Sequence, residues 1–355
     1  MEKRPLKEGF PMKAFEIRSP GDYGVTEAPE PVIGEEEVLV QVAYAAICHS
    51  DIDMLTGARK HLIRYPNIGG HEFAGTVVRA GHGVKGFRPG DRVACECIIR
   101  CGQCTGCDLG WNDCENYSEL GFMQGGGFAE YCAVPARNCH RIADHVSFEQ
   151  AALTEPLGNG FAVAEAAGIG PRDRVAVIGP GPIGLYAIQC AKLWHPRQLI
   201  MIGTREERLK YAAGTADVLI NIREQDAAKA VMEATGGEGV QVVLMCATTV
   251  SACELALQIA GGGCRVIVEG LPGETPVPVC FNDFVVKSLT IKGVAGVTAK
   301  QFRQVITLME NGVLDPAGLI THRFPLTRIT EGFEILQARN QDAVKILIDP
   351  SAQDA

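Results

Sequence analysis

Four cysteines lie within one short segment, IIRCGQCTGCDLGWNDCENY, residues 98–117. They are Cys101, Cys104, Cys107 and Cys114, with the spacing C-x2-C-x2-C-x6-C. Four thiolates so close in sequence suit tetrahedral Zn²⁺ and fill its coordination shell, which predicts a structural rather than a catalytic metal. The alternative is free or disulfide-paired cysteines, but so short a loop strains disulfide geometry.

A glycine-rich loop lies between a predicted strand and a predicted helix in VAVIGPGPIGLYAIQCAK. Gly179, Gly181 and Gly184 have the G-x-G-x-x-G spacing of a dinucleotide-binding loop, and the intervening Pro182 and Ile183 belong to the same candidate site. The first glycine permits a tight turn, the second lets the backbone approach a pyrophosphate, and the third lets helix and strand pack closely. An ordinary glycine turn is the alternative.

The end of the next predicted strand bears on the choice of nucleotide. NAD-binding proteins commonly place an acidic residue there to bind the ribose hydroxyls, whereas this chain has Gly203, Thr204 and Arg205. The planar guanidinium of Arg205 and the hydroxyl of Thr204 can bind a 2′-phosphate. We therefore favour NADP(H); the alternative is that Arg205 only begins a solvated helix and that NAD is used.

Further candidate metal ligands are dispersed along the chain. Cys48 lies in ICHSDID, His71 and Glu72 lie in GGHEFAG, and Glu155 lies in TEPLG. A cysteine after an apolar strand is more often part of the core, and a histidine beside a glutamate is more often a surface residue. Spacing alone does not bring these residues together.

The predicted elements divide the chain into two kinds of structure. Residues 12–150 read as β-rich, and a helix is predicted from Ser147, a suitable N-cap, to about residue 168. From residue 172 short apolar strands alternate with helices, which predicts βαβ units and a parallel sheet. The segment after residue 298 is interpreted as a return to the first domain, so the α/β domain is an insertion.

Composition excludes several classes of protein. The chain has 355 residues and a net charge of −9, which argues against a nucleic-acid-binding protein. It has no apolar run long enough to cross a membrane and no signal peptide at its charged N-terminus. We expect a cytoplasmic protein, in which the fourteen cysteines do not form disulfides.

Several segments occur together in a familiar order: CHSD, GGHEFAGTVV, FRPGDRVA, the four-cysteine segment, GGFAEY, TEPL and VIGPGPIG. In these segments the chain resembles zinc-dependent medium-chain dehydrogenases, in particular the sorbitol, threonine and butanediol dehydrogenase branch. The resemblance covers nearly all of residues 12–349. It implies an α/β fold with a GroES-like catalytic domain, residues 1–158 and 298–355, and a doubly wound Rossmann domain, residues 159–297.

The resemblance also implies roles for the dispersed residues. Cys48, His71 and Glu155 match the ligands of a catalytic zinc, and Glu72 matches a carboxylate that alternates with water at the metal. Asp51 matches the acid that orients the ligating histidine. A catalytic zinc needs about three protein ligands and one open position, and a carboxylate on the far nitrogen of the histidine fixes its tautomer.

Other positions are less well defined. Ser50 matches a hydroxyl that relays the alcohol proton, but the chain has Asp53 where many relatives have a histidine. Tyr65, Phe122 and Phe281 are candidates for the substrate pocket, with ordinary packing as the alternative.

The expected activity is oxidation of a secondary alcohol to a ketone by NAD(P), with two zinc ions per chain. The resemblance suggests a polyol, sugar alcohol, amino-polyol or diol as substrate. It also suggests a homodimer or homotetramer formed through residues 264–296. The alternatives are a zinc-free quinone or enone reductase of the same superfamily and a non-catalytic nucleotide-binding structural protein.

Overall fold

The computed structural model describes residues 11–58, 63–108, 114–270, 275–338 and 342–352. They form two compact units: Met1–Glu155 with Met309–Ala355, and Pro156–Leu308. The first unit is therefore built from both ends of the chain. It is rich in β-structure, whereas strands and helices alternate in the second, so the α/β class predicted from the sequence is confirmed.

The strands of the first unit form three sheets. Their bounds are β1 (Pro11–Ser19), β2 (Asp22–Pro29), β3 (Glu37–Ile47), β4 (Asn67–Ile68), β5 (Glu72–Ala80), β6 (Arg92–Cys95), β7 (Ile98–Ile99), β8 (Ser118–Glu119), β9 (Tyr131–Pro135), β10 (Cys139–Arg141), β17 (Ile320–Pro325) and β18 (Lys345–Asp349). The largest sheet has the order β10-β6-β5-β3-β18-β17, and β9 also pairs with β3. The two others have the orders β2-β1-β4 and β7-β8.

Short helices connect these strands. They are α1 (His49–Thr56), α2 (Thr105–Asp108), α3 (Phe148–Ala152) and α11 (Ile329–Gln337), with 3-10 turns at Ala136–Asn138, Pro316–Leu319 and Leu326–Arg328. The aromatic rings of Phe15, Phe128 and Phe333 pack together in the core, with centroids 5.4–6.4 Å apart. Burial of each ring contributes about 1.5–3 kcal/mol, so this cluster fixes α11 against the sheets.

The helix predicted from Ser147 to about residue 168 is two helices. Ser147 caps α3, since its hydroxyl accepts a hydrogen bond from the Gln150 backbone N–H at 3.1 Å, and α4 (Thr154–Ala166) begins two residues after α3 ends. Pro156 explains the interruption, because proline has no N–H and its ring clashes with the carbonyl four residues earlier. The interruption places Glu155 in the first turn of α4.

The second unit contains a six-stranded parallel sheet with the order β13-β12-β11-β14-β15-β16. Its strands are β11 (Arg174–Ile178), β12 (Gln198–Gly203), β13 (Val218–Asn221), β14 (Val240–Met245), β15 (Ala260–Val268) and β16 (Thr290–Gly293). All five residues of β11 are buried, as expected for a central parallel strand covered on both faces. The predicted alternation of strands and helices is confirmed.

Helices lie between and after the parallel strands. They are α5 (Pro182–Ala191), α6 (Glu206–Leu209), α7 (Ala227–Ala234), α8 (Val250–Gln258), α9 (Phe281–Lys287) and α10 (Ala299–Glu310), with 3-10 turns at Lys192–Trp194 and Lys210–Ala212. Helices α5 to α9 connect the parallel strands, and α10 follows the last of them. Helix α9 was not predicted from the sequence. In the part of the chain that the structure describes, no helix combines the length and apolar character needed to cross a bilayer.

Candidate metal centres and nucleotide site

The four clustered cysteines lie in the loop between β7 and β8, and α2 carries Cys107. Their sulfur atoms all lie within 4.8 Å of one another. Backbone N–H groups point at two of them: Cys101 N–H donates to Cys114 Sγ at 3.2 Å, and Gly102 N–H donates to Cys107 Sγ at 3.3 Å. The backbone therefore already favours negative charge on these sulfurs.

The pKa values of two of these thiols, Cys101 and Cys107, are shifted in opposite directions. The Gln103 N–H is the main cause that lowers the pKa of Cys101 to about 6. The Gly102 N–H lowers the pKa of Cys107, but burial and the neighbouring Cys104 and Cys114 outweigh it and raise that pKa to about 11. Crowded thiols resist joint ionisation unless a cation joins them, so the group fits a zinc ion bound by four thiolates.

A second compact group lies where β3 ends and β5 begins, in the interior of the largest sheet, and comprises Cys48, His71 and Glu72. One potential ligand atom from each residue lies within 4.8 Å of the others. The antiparallel pairing of β3 with β5 brings them together, because Ala46 stands opposite Glu72 in the register. Cys48 follows β3 at the start of α1, and His71 immediately precedes β5.

Asp51 connects Cys48 and His71. Its Oδ2 atom accepts a hydrogen bond from the Cys48 backbone N–H at 2.8 Å, and its Oδ1 atom lies 3.5 Å from His71 Nδ1. Burial by itself lowers the pKa of His71, but the charge and hydrogen bonding of Asp51, together with those of Cys48, outweigh burial and raise the pKa well above its ordinary value. With Nδ1 facing Asp51, Nε2 is the ring nitrogen available to a metal, and the group has the thiolate, imidazole and carboxylate donors that zinc prefers.

Lys345 is a component of this site that sequence reasoning missed. Its ammonium group pairs with Glu72 Oε2 and donates to the Ile47 carbonyl oxygen at 3.1 Å. Burial by itself lowers the pKa of Lys345, but Glu72 and Cys48 outweigh burial and raise it. The available signal was a lysine among apolar residues in AVKILID, but the sequence did not identify its partner.

Glu155 lies outside the compact group of three, although it is buried in the first turn of α4. Its charge also contributes to the raised pKa of Lys345. The structure therefore brings Cys48, His71 and Glu72 within ligand distance of one another, and Glu155 influences the same lysine that pairs with Glu72.

Ser50 is half-buried in the first turn of α1, two residues after Cys48. Asp53 is half-buried one turn further along the same helix. Phe122 lies beside the metal group, with its ring centroid 4.9 Å from that of His71. The hydroxyl of Tyr65 donates to the Met54 carbonyl oxygen at 2.7 Å, so it is already engaged by the protein.

The glycine loop has the geometry expected of a nucleotide-binding turn. Gly179 has a φ of +105°, which favours glycine, and a Cβ at Gly184 would lie 2.0 Å from the Gly179 carbonyl oxygen. Gly181 precedes α5, and Pro182 occupies its first turn. The loop thus joins β11 to a helix N-terminus, which favours a bound phosphate.

The end of β12 is shaped by the same loop. A Cβ at Gly203 would lie 2.4 Å from the ring carbons of Pro180, so the loop leaves little room for an acidic side chain there. Thr204 is exposed and Arg205 is half-buried at the start of α6. Burial and then the charge of Arg205 lower the pKa of Arg208 to about 10. Arg208, which sequence reasoning missed, therefore lies near a second guanidinium.

Two metal-binding groups in one unit and a dinucleotide loop in the other define a zinc- and NAD(P)-dependent dehydrogenase. Residues 34–144 match the alcohol dehydrogenase GroES-like domain family, and residues 182–311 match the zinc-binding dehydrogenase family. The chain belongs to the zinc-containing medium-chain alcohol dehydrogenase family. The resemblance predicted from the sequence is confirmed, and the enzyme acts on the CH–OH group of a small-molecule alcohol.

Three relatives illustrate the similarity. The L-threonine 3-dehydrogenase of Bacillus licheniformis is 36% identical over 352 residues, spanning 96% of this chain and 99% of the relative. The sorbitol dehydrogenase of Halalkalibacterium halodurans is 31% identical over 335 residues, spanning 93% and 96%. The structure of 2R,3R-butanediol dehydrogenase from Bacillus subtilis has a TM-score of 0.88 and 28% identity, covering 96% of this chain and 100% of that one.

Proposed function

We propose that the substrate is a secondary alcohol with a hydroxyl or amino group on the neighbouring carbon, as in polyols, sugar alcohols, amino-polyols and vicinal diols. The three relatives are named for threonine, sorbitol and butanediol. Each of these compounds has a secondary hydroxyl next to a carbon that bears another heteroatom. The single observation that carries the dehydrogenase mechanism is the compact group of Cys48, His71 and Glu72.

In this proposal Cys48, His71 and Glu155 hold the catalytic zinc, and the carboxylate of Glu72 is a fourth potential ligand within reach of Cys48 and His71. Asp51 fixes the tautomer and orientation of His71, since it faces Nδ1 at 3.5 Å. Lys345 pairs with Glu72 and offsets negative charge among the ligands. Bound zinc supplies Lewis acidity that lowers the pKa of an alcohol hydroxyl, and bound NAD(P)⁺ accepts a hydride.

Ser50 is proposed to accept the proton of the substrate hydroxyl and pass it towards solvent. Its half-buried position in α1, two residues from Cys48, supports this role. Asp53 lies on the same helix and is a candidate for the next group in the relay. The side chain of Phe122, which packs beside His71, supplies an apolar wall that helps to exclude water.

A substrate panel tests the proposed class. Purified holoenzyme is assayed with NADP⁺ and with NAD⁺ on L-threonine, sorbitol, 2,3-butanediol and 2-butanol, and its zinc content is measured by mass spectrometry. We expect two zinc ions per chain and a kcat/KM at least about tenfold higher for one of the first three alcohols than for 2-butanol. The expected margin corresponds to about 1.4 kcal/mol, which one neighbouring polar group can supply.

The alternatives give different results. Equal kcat/KM values for 2-butanol and the other alcohols would contradict the proposed substrate class but leave the dehydrogenase intact. Reduction of an enone or quinone by protein without zinc would favour the zinc-free reductase. Absence of turnover in both directions by protein that holds zinc and nucleotide would favour a structural role.

We propose NADP(H) as the preferred nucleotide. Arg205 and Arg208 place two positive groups after β12, and the charge of Arg205 contributes to the lowered pKa of Arg208. An added phosphate would relieve that repulsion through charge-assisted hydrogen bonds. Pro180 packs where an acidic side chain at position 203 would lie, which disfavours the usual contact with the ribose hydroxyls of NAD.

Substitution of Arg205 tests this preference. We expect Arg205→Ala to lower the ratio of kcat/KM for NADP⁺ over NAD⁺ by about 10–100-fold, since a charged hydrogen bond contributes about 1.5–3 kcal/mol. Lys210→Ala removes an exposed cation from the same segment and serves as the control. An unchanged ratio in Arg205→Ala would contradict the proposed phosphate contact.

We also propose that two copies pair through β16. This strand ends the sheet order, and all four of its residues are exposed. Helix α9 adds an apolar surface, with Phe281, Val285 and Val286 each 78–83% exposed. A second copy of the same strand could continue the sheet and cover that surface, whereas Phe281 was expected to line a substrate pocket.

Light scattering measures the proposed assembly. The unaltered chain is expected to have at least twice the mass of one chain, and Val286→Asp is expected to weaken the assembly by placing a charge in its apolar contact. Val313→Asp is the control, because Val313 is also exposed but lies in the first unit. A monomeric unaltered chain would contradict the proposal.

The free cysteines and the proposed activity also favour a cytoplasmic setting.

A further inference from the structure

Glu269 lies at the carboxyl end of the parallel sheet in the second unit. It directly follows β15, and its backbone N–H donates to the carbonyl oxygen of Met245, the last residue of β14, at 3.1 Å. The Gly270 N–H donates to the same oxygen at 3.1 Å. These bonds fix Glu269 at the edge of the sheet where ligands bind in open α/β folds.

The sheet order places Glu269 on a particular side of the dinucleotide site. The chain proceeds outward from β11 to β13 in one direction and from β14 to β16 in the other, so the order reverses between β11 and β14. A dinucleotide crosses this reversal, with its adenosine ribose near the end of the second strand, here Gly203. The nicotinamide half therefore falls on the side of β14 and β15, where Glu269 lies.

Close packing connects this strand end with the glycine loop. The Cys246 N–H donates to the Ile178 carbonyl oxygen at 3.0 Å. A Cβ at Gly179 would lie 3.0 Å from Ala247 Cβ, and a Cβ at Gly270 would lie 2.0 Å from the Ala247 carbonyl oxygen. Gly270, the residue after Glu269, packs against Ala247, and Ala247 in turn packs against Gly179 of the glycine loop. Glu269 therefore lies close to that loop.

We propose that Glu269 lines the nicotinamide half of the dinucleotide site and favours the oxidised, positively charged ring over the reduced, neutral ring. The inference rests on the NAD(P)-dependent function proposed above and assigns a determinant of its redox preference. A carboxylate near the ring attracts the pyridinium cation, and this attraction is lost when hydride addition neutralises the ring.

The surroundings of Glu269 support this role. Burial raises the pKa of Glu269 to about 7, so its charge changes near neutral pH. Cys246, at the end of β14, has a pKa raised well above its ordinary value by burial and then by Glu269, so its thiol remains neutral. Lys292 on the neighbouring β16 is exposed. Oxidised cofactor should therefore favour the ionised form of Glu269 and release a proton on binding.

Equilibrium binding to the holoenzyme tests the proposal without turnover. NADPH binding is followed by its fluorescence, and NADP⁺ binding is measured by competition with NADPH. In Glu269→Gln we expect the Kd of NADP⁺ to rise about tenfold at pH 8 while the Kd of NADPH stays within about twofold. Glu254→Gln alters an exposed glutamate in α8 of the same unit and should change neither constant.

The pH dependence provides a second readout. From pH 6 to pH 8 the unaltered protein should bind NADP⁺ more tightly as Glu269 ionises, and the affinity should level off above its pKa. NADPH affinity should change less over this range, and Glu269→Gln should lose the difference between the two cofactors. Groups of the cofactor that titrate in this range affect the unaltered protein and Glu269→Gln equally, so their effect cancels when the two proteins are compared.

Three results overturn the inference. Equal weakening of NADP⁺ and NADPH in Glu269→Gln would assign Glu269 a structural role, and unchanged constants would remove it from the site. Retention of the pH difference by Glu269→Gln would assign that difference to another group. Failure of the unaltered protein to bind either cofactor, or NAD⁺ and NADH in the same assay, would instead contradict the NAD(P)-dependent function itself.

Discussion

The two metal-binding groups of the first unit are assembled in different ways. The four cysteines lie within one loop, where backbone N–H groups of Cys101 and Gly102 donate to sulfur. The group of Cys48, His71 and Glu72 instead depends on the pairing of β3 with β5, and Lys345 from β18 supplies a full positive charge to Glu72. We therefore expect the loop to need a metal to hold it, and the sheet pairing to position the second group without one.

This difference predicts where metal loss has its larger effect. Zinc binding to small structural sites contributes on the order of 10–16 kcal/mol and is coupled to folding. Loss of that metal should therefore disorder the cysteine loop. The dispersed group should keep its backbone arrangement, because its ligands begin or end elements of a sheet whose core is packed independently of the metal.

The largest expected effect comes from breaking the cysteine group. Cys104→Ala removes one of four clustered thiols, so we expect zinc content to fall from two ions to about one per chain and the Tm to decrease. Mass spectrometry and thermal unfolding measure the two quantities. Cys132→Ala, a buried thiol in β9, is the control and should retain both ions. Two tightly bound ions in Cys104→Ala would show that the loop does not hold zinc.

The next effect should come from Lys345. Lys345→Met leaves Glu72 as a buried carboxylate without its cation, and breaking a buried ion pair in this way costs about 3–5 kcal/mol. We expect the free energy of unfolding to fall by that amount in protein treated with a chelator. The loss should be smaller in the zinc-loaded protein, because the metal can take over part of the charge balance.

Lys345→Arg is the matched control, since it keeps the charge and should recover much of the lost stability. Denaturant unfolding with and without chelator gives the comparison. An equal loss of stability in both metal states would show that Lys345 serves packing alone and does not balance the charge of the metal group.

The contrast between the two groups also explains what the sequence could predict. The cysteine spacing and the glycine loop are local, so their residue types and intervals identify them before any fold is known. Cys48, His71 and Glu155 were linked only by resemblance, because spacing carries no information about pairing between distant strands. The predicted roles of these residues remain hypotheses, although the structure brings Cys48 and His71 together with Glu72.

The residues that were missed have different causes. Lys345 lies in an apolar strand and pairs with a residue 273 positions away, which the sequence does not reveal. Arg208 lies one helical turn after Arg205, a local spacing that the sequence does contain. Helix α9 is largely exposed, so its sequence lacks the apolar periodicity of about 3.6 residues that a half-buried helix would show. In contrast, Pro156 could have predicted the break between α3 and α4, because its effect on the helix is local.

The smallest of the three effects should come from Asp51, which acts on the dispersed group through His71. Asp51→Asn keeps the size of the side chain but removes the charge that faces His71 Nδ1. We expect zinc affinity or kcat/KM to fall by about 10–100-fold, as for other residues that orient a metal-bound histidine, which corresponds to about 1.4–2.7 kcal/mol. Thermal stability should change little in the zinc-loaded protein, because the substitution leaves the fold of α1 and β5 intact.

The control for this prediction is Asp144→Asn, which removes an exposed carboxylate in the same unit. Zinc affinity is measured by competition with a chelating dye, and kcat/KM is measured at saturating zinc, so that metal loss and misorientation of His71 are separated. A fall in affinity that excess zinc restores would assign Asp51 to metal retention. A fall in kcat/KM that persists at saturating zinc would assign it to orientation of the site. If neither quantity changes, the group of Cys48, His71 and Glu72 does not depend on the carboxylate of Asp51. That group would then differ from the cysteine group only in drawing its ligands from distant parts of the sequence.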